Sequence, residues 1–243
     1  MRLEPLIAKK FEMKGSEKSR QSLLDATMKN LSTTQQYFLC ILKKNGKISS
    51  LEMEKTTCLA ASAVVELLME DVLAFDGKKL SVQELLPEEK SYLRQVYDVV
   101  AKKQPVKFEN VIEYFSFNIT DKYINGLVED IGESLAELGC VRKEKGGFMN
   151  GKTVYIPNEA DVDHIVQNIR AELLEDGELS EDIVVLTALL NKSQDLQRYF
   201  SSYEKQALKK RLDEIKENPQ NELIHKATEY IDTLFLMFIV AIS

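Results

Sequence analysis

Between Leu135 and Pro157 the chain reads LAELGCVRKEKGGFMNGKTVYIP, a stretch that leaves few ways to fold. Upstream of it, Ile124, Leu127, Val128, Ile131, Leu135 and Leu138 recur at helical spacing and predict an amphipathic helix. Gly139 stops that helix. A basic ribbon follows, and Asn150-Gly151 turns the chain back through Thr153, Val154, Tyr155 and Ile156 to Pro157, the pattern of a β-hairpin. Val154 and Ile156 are expected to cover the helix that precedes them.

The same helix-then-hairpin order occurs a second time. An apolar helix is expected over about Cys58 to Val72, followed by a ribbon that turns at Asp76-Gly77. No fixed period links the two, so they are a shared motif and not a solenoid. Ser32 and Gln35 form a capping box that opens a helix through Tyr37, Phe38, Ile41 and Leu42, with Asn45-Gly46 as its stop. Pro87 opens another helix, whose stripe is Leu93, Val96, Tyr97 and Val100. Asn158 caps a further one, and helices are expected over Ile183–Leu190, Leu196–Ile215 and Leu223–Ile242.

The last of these contains the longest apolar run, Leu234 to Ile242. A bilayer span needs about 20 such residues, so the run reads as a helix packed on all sides. Residues 1–30 are lysine-rich and weakly periodic and read as a mobile arm. With 44% hydrophobic and 29% charged residues, the remainder can build a sizeable core. The expected fold is mainly α: a single compact helical domain over residues 31–243, around a central apolar helix, with short β-hairpins.

The chain gives little support to catalysis. Phosphate-cradling glycine loops, nucleophile elbows, HExxH and EF-hand patterns are absent from the sequence. Cys40, Cys58 and Cys140 lie among apolar residues and read as buried, reduced thiols. With no CxxC and only His164 and His225, neither a zinc site nor another cofactor is expected. His164 falls one position off an apolar stripe and reads as a surface side chain. Glu172, Glu175, Asp176, Glu178, Glu181 and Asp182 read as a solvated loop, the last two favourably placed behind Ser180 at a helix N-terminus. Tyr199, Phe200 and Tyr203 read as core. Met1-Arg2 leads to Glu4 and Pro5 instead of an apolar core, so no secretory leader is expected and the location is cytoplasmic.

That leaves the basic hairpin. A net charge of -7 repels nucleic acid and anionic membranes alike, so either partner needs a local basic patch. Arg142, Lys143, Lys145 and Lys152 flank a tip with Phe148 and Met149, and Glu144 partly offsets them. The plain reading is a solvated ribbon. A membrane-touching reading gives each cation ~1 kcal/mol at an anionic surface, and a fully buried Phe or Met roughly 1.5–3 kcal/mol more. That sum suits weak, reversible docking. An alternative is a winged-helix interaction module for protein or nucleic acid, with the hairpin as wing. Glu129, Asp130, Glu133 and Glu137 on the helix would then face phosphates, which makes nucleic acid an unlikely partner.

LAELGCVRKEKGGF, the turn, VYIP, the helix after it and IVVLTALLNKSQDLQRYFSSYEKQALKKRLDEI together resemble the Golgi phosphoprotein 3-like family. LSTTQQYFLCILKKNGKISS resembles its opening helix. LAASAVVELLMEDVLAF resembles the next one, with Glu66 on the family glutamate. The resemblance runs from about Leu31 to Ile242. It implies a compact, mainly helical fold around a central apolar helix, for which Leu223–Ile242 is the candidate. It also implies a non-enzymatic, peripheral membrane role. Eukaryotic members bind phosphatidylinositol 4-phosphate and serve as adaptors for Golgi glycosyltransferases. Their headgroup pocket uses a tryptophan and arginines, and counting from the glycines places these on Leu51, Ala60, Asn125 and Val128. None is retained, and a pocket without those cations cannot hold a phosphomonoester in the same way. The departures imply a distant, bacterial member whose partner is an anionic membrane surface or a protein client.

Overall fold

The structure, a computed structural model, describes residues 30–48, 53–116, 122–146, 152–175 and 179–217. The chain divides into Met1–Leu31 and Ser32–Ser243, and every contact below lies within the second unit. Of the expected arm over residues 1–30 only Asn30 is described, and the expected helix Leu223–Ile242 with its apolar run lies outside the described residues.

Helices dominate. In chain order they are α1 (Thr33–Ile41), α2 (Met53–Met69), α3 (Arg94–Lys103), α4 (Phe108–Ser116), α5 (Lys122–Glu137), α6 (Glu159–Ile169), α7 (Glu181–Lys192) and α8 (Ser202–Glu217). Strands β1 (Leu73–Phe75), β2 (Lys79–Val82) and β3 (Val106–Lys107) form one antiparallel sheet in that order, and β4 (Val141–Lys145) pairs with β5 (Thr153–Pro157) in a second. The mainly α expectation holds.

The capping box at α1 is present: the Gln35 amide N–H donates to Ser32 Oγ at 3.3 Å, and the Ser32 N–H to Gln35 Oε1 at 3.1 Å. Such a cap contributes ~1 kcal/mol. α1 is buried on every side, from Thr33 through Ile41 apart from half-buried Gln36. Its N-terminal turn meets a buried carboxylate, because the Thr34 N–H donates to Glu66 Oε2 at 3.0 Å. At its other end Arg198 donates to the carbonyls of Cys40 and Leu42, at 2.7 Å each, and Tyr199 Oη also donates to the Cys40 carbonyl. Anion at the start and cation at the end follow the helix dipole and satisfy groups the helix leaves open. Because Arg198 takes those carbonyls, the helix stops at Ile41 and Leu42 is already extended. Asn45-Gly46 is a separate turn and not the expected helix stop. There Gly46 has φ +71°, and an added Cβ would lie 2.8 Å from the Tyr155 carbonyl carbon.

Around α1 pack α2, α6 and α7. Ile183 to Leu190 of α7 are all buried, so among the described residues α7 acts as a helix apolar on all sides. α2 begins at Met53 and ends at Met69, starting before the expected Cys58. The expected single helix over Leu196–Ile215 is broken. Asp195–Arg198 form a short 3-10 turn, and α8 starts only at Ser202. Asp195 is fully buried and accepts hydrogen bonds from Lys55 Nζ at 2.7 Å and Ser193 Oγ at 2.9 Å. Holding that carboxylate inside while Arg198 and Tyr199 reach α1 is incompatible with one straight helix. Phe200 is buried as expected, but Tyr203 is 82% exposed on α8 and is not core.

The first ribbon turns as expected, with Asp76 Oδ1 accepting the Lys78 and Lys79 N–H groups at 2.9 and 2.7 Å. β3 adds an unanticipated third strand.

Candidate functional site

The hairpin follows from the end of α5. The Cys140 N–H donates to the Leu135 carbonyl at 2.8 Å and the Gly139 N–H to the Ala136 carbonyl at 3.0 Å, with Gly139 at φ +67°. This paired closure is the one glycine permits without a Cβ penalty. The chain then enters β4, whose register sets Val141 opposite Pro157, Arg142 opposite Ile156, Lys143 opposite Tyr155, Glu144 opposite Val154 and Lys145 opposite Thr153.

Side chains alternate across a strand, so Val141, Lys143, Lys145 and Tyr155 share the face turned to α5. Tyr155 fills it and is 2% exposed. Its ring sits against Gly132, where an added Cβ would fall 2.4 Å from a ring carbon, and meets Phe38 edge-on at 6.4 Å. The cover of α5 is thus Tyr155. Val154 and Ile156, expected in that role, are half-buried on the opposite face.

The cations of the ribbon are mostly engaged. Lys143 Nζ lies 2.7 Å from Glu133 Oε2, and the same carboxylate accepts the Tyr155 hydroxyl at 3.0 Å. The Lys143 contact holds the Glu133 carboxyl below its usual range, while burial pushes the Tyr155 phenol up. Arg142 pairs with Glu144 at 2.8 Å on the outer face. Lys152 donates to the Asn125 amide oxygen at 3.3 Å. Lys145 is exposed. Two of the four positive charges are therefore balanced in place, leaving Lys145 and Lys152 as net cations. Phe148 and Met149 lie outside the described residues.

Of the positions corresponding to the headgroup residues of the family that the sequence resembles, Ala60 is fully buried on α2, and Asn125 and Val128 are half-buried on α5. Leu51 lies outside the described residues. Lys152 thus joins the ribbon to one of these positions, Asn125.

On α5, Glu129 and Glu137 are exposed, and Asp130 accepts from Gln95 at 3.2 Å while burial raises its carboxyl. His164 is exposed on α6 beside Asn168; His225 lies outside the described residues. In the acidic run, Glu172 accepts from the Ser180 N–H and hydroxyl at 2.8 Å each, and Ser180 Oγ caps α7. Asp176 and Glu178 lie outside the described residues. Among the described residues no His, Cys, Asp and Glu gather as a metal site, and no helix is long and apolar enough to cross a membrane.

One cluster has no signal in the sequence pattern. Lys79, Lys103 and Lys107, from three different elements, line an open cleft of about 470 Å³ with Pro105, Val106, Asn110 and Tyr114.

Among known families, the model of Golgi phosphoprotein 3 (GPP34) matches residues 33–231. No curated protein matches the chain.

Proposed function

The chain belongs to the Golgi phosphoprotein 3 family, and from that membership we propose a non-enzymatic domain that docks peripherally on an anionic membrane surface. The observation that carries the reading is the family match over residues 33–231, nearly all of the Ser32–Ser243 unit. The hairpin is the docking element, and its ion pairs set the strength. Exposed salt bridges contribute about 0–1 kcal/mol, so exchanging Glu133 or Glu144 for a lipid phosphate gains almost nothing. Lys145 and Lys152 supply the electrostatic term, about 2 kcal/mol together at ~1 kcal/mol per cation. Such docking is weak, reversible and sensitive to salt. The buried Ala60 speaks against a headgroup pocket of the eukaryotic type at that position. The exposed Glu129 and Glu137 on α5 oppose the winged-helix alternative with nucleic acid.

The test is co-sedimentation with neutral and anionic vesicles at low salt. Wild type pellets with anionic vesicles, and Lys145→Glu/Lys152→Glu does not. If wild type ignores every vesicle, the lipid reading is lost and contact with a protein client remains.

A further inference from the structure

Lys79 and Lys107 stand directly opposite each other in the β2–β3 ladder. Opposed residues of an antiparallel pair project from the same face with Cβ atoms about 4.5–5.5 Å apart, and like charges there are destabilising. Neither lysine, nor Lys103 beside them, has a carboxylate within ion-pair distance among the described residues, whereas Lys44, Lys55, Lys90, Lys102, Lys143 and Lys210 all do. Three cations without a direct ion pair among the described residues converge on one cleft of a chain whose net charge is -7, and Asp76 acts on Lys79 only through space.

We propose that this cleft binds a phosphorylated small anion. Its volume of about 470 Å³ falls within the roughly 300–1,000 Å³ of small-ligand sites. Lysine ammoniums are compact point charges with rotating donors, which suit the tetrahedral oxygens of a phosphate monoester. Asn110 and Tyr114 add neutral hydrogen-bonding groups to the lining, and Pro105 and Val106 give it an apolar part. Lys103 Nζ lies 4.9 Å from the Tyr114 ring centre, which holds the third charge at the cleft. An anion between Lys79 and Lys107 converts their mutual repulsion into a shared attraction. In the unliganded sheet Asp76 offsets Lys79 only through space, with no direct ion pair to Lys79 or Lys107 among the described residues. The source of the phosphate is either a lipid headgroup or a soluble ester, and the chemistry recognised is the same. The site shares no residue with the hairpin, so it stands or falls separately from membrane docking by Lys145 and Lys152.

The experiment uses the full chain at low salt with two probes: glycerol 3-phosphate in solution, read by calorimetry, and phosphatidylcholine vesicles containing phosphatidic acid, read by sedimentation with Lys145→Glu/Lys152→Glu present throughout so that hairpin docking does not contribute. Saturable binding of either probe is expected, weakened about tenfold or more in Lys79→Thr/Lys107→Thr and unchanged in Lys44→Gln. Without probe, the Thr/Thr variant melts no lower than wild type, because a repulsive pair has gone. Binding of glycerol 3-phosphate supports a soluble ester; lysine-dependent binding of vesicles alone supports a lipid headgroup. Absence of binding to both probes, or binding that survives Lys79→Thr/Lys107→Thr, overturns the proposal.

Discussion

The ring of Tyr155 occupies the space that any side chain at Gly132 would need. An added Cβ would sit 2.4 Å from the ring, so α5 and β5 are in contact across a position that only glycine can fill. Gly132→Ala forces the hairpin away from α5 and lowers stability by about 1–3 kcal/mol, as overpacking does. Chemical denaturation measures it. Trimming the ring as well, in Gly132→Ala/Tyr155→Leu, gives a double-mutant cycle with a favourable coupling energy. Strict additivity of the two losses refutes the steric account.

Glu66 is buried and accepts three hydrogen bonds, from the Thr34 N–H, Lys90 Nζ at 2.9 Å and the Tyr92 hydroxyl at 2.6 Å. Removing one partner of a buried ion pair costs about 3–5 kcal/mol. Lys90 keeps a second partner in Glu70 at 2.8 Å, so Glu66→Gln is expected near the lower end of that range. Glu66→Gln/Lys90→Met should recover part of the loss. Thermal melts of the two variants decide, and a double variant less stable than the single one rejects the prediction.

Glu204 is held down to about 2 by Arg170, with the Ser201 N–H and hydroxyl adding to the effect. Its folded value lies below its unfolded one of about 4.3. Its contribution is therefore present above the unfolded value and lost as pH falls from about 4.5 toward 2. Glu204→Gln should flatten the acid side of the stability curve in that window and leave its neutral shape unchanged. Melts from pH 2 to 7 test this; an unaltered acid limb counts against it.

All three thiols are buried, and burial pushes the Cys40 thiol up to about 12 and the Cys58 thiol higher still. The folded protein should resist a disulfide-exchange reagent at pH 8 and release three equivalents only after unfolding. Rapid modification of any one thiol in the native protein contradicts this placement.

Local signals were readable wherever neighbours in sequence satisfy one another. The Ser32–Gln35 box, the Asp76-Gly77 turn and the Gly139 closure each need only a few consecutive residues, and each is present. Long-range demands were not readable. The stop of α1 depends on Arg198, more than 150 residues away. The break before α8 depends on burying Asp195 against Lys55. Two-residue β3 is too short for alternation to show, and it alone brings Lys107 opposite Lys79. At the hairpin, composition exposed four cations but not their partners. Glu133 sits on the preceding helix, and only the strand register reveals which face Lys143 takes.

The arrangement at α1 also bears on the order in which the protein can be made. Its first turn leans on Glu66, but its last carbonyls wait for Arg198 and Tyr199. Domains fold as units while the chain emerges N-terminal first. α1 therefore leaves the ribosome before the groups that complete it, which emerge only after all of α2 through α7 has followed it. A stalled chain ending before residue 195 carries an apolar helix with one open end, exposed to whatever apolar surface it meets first.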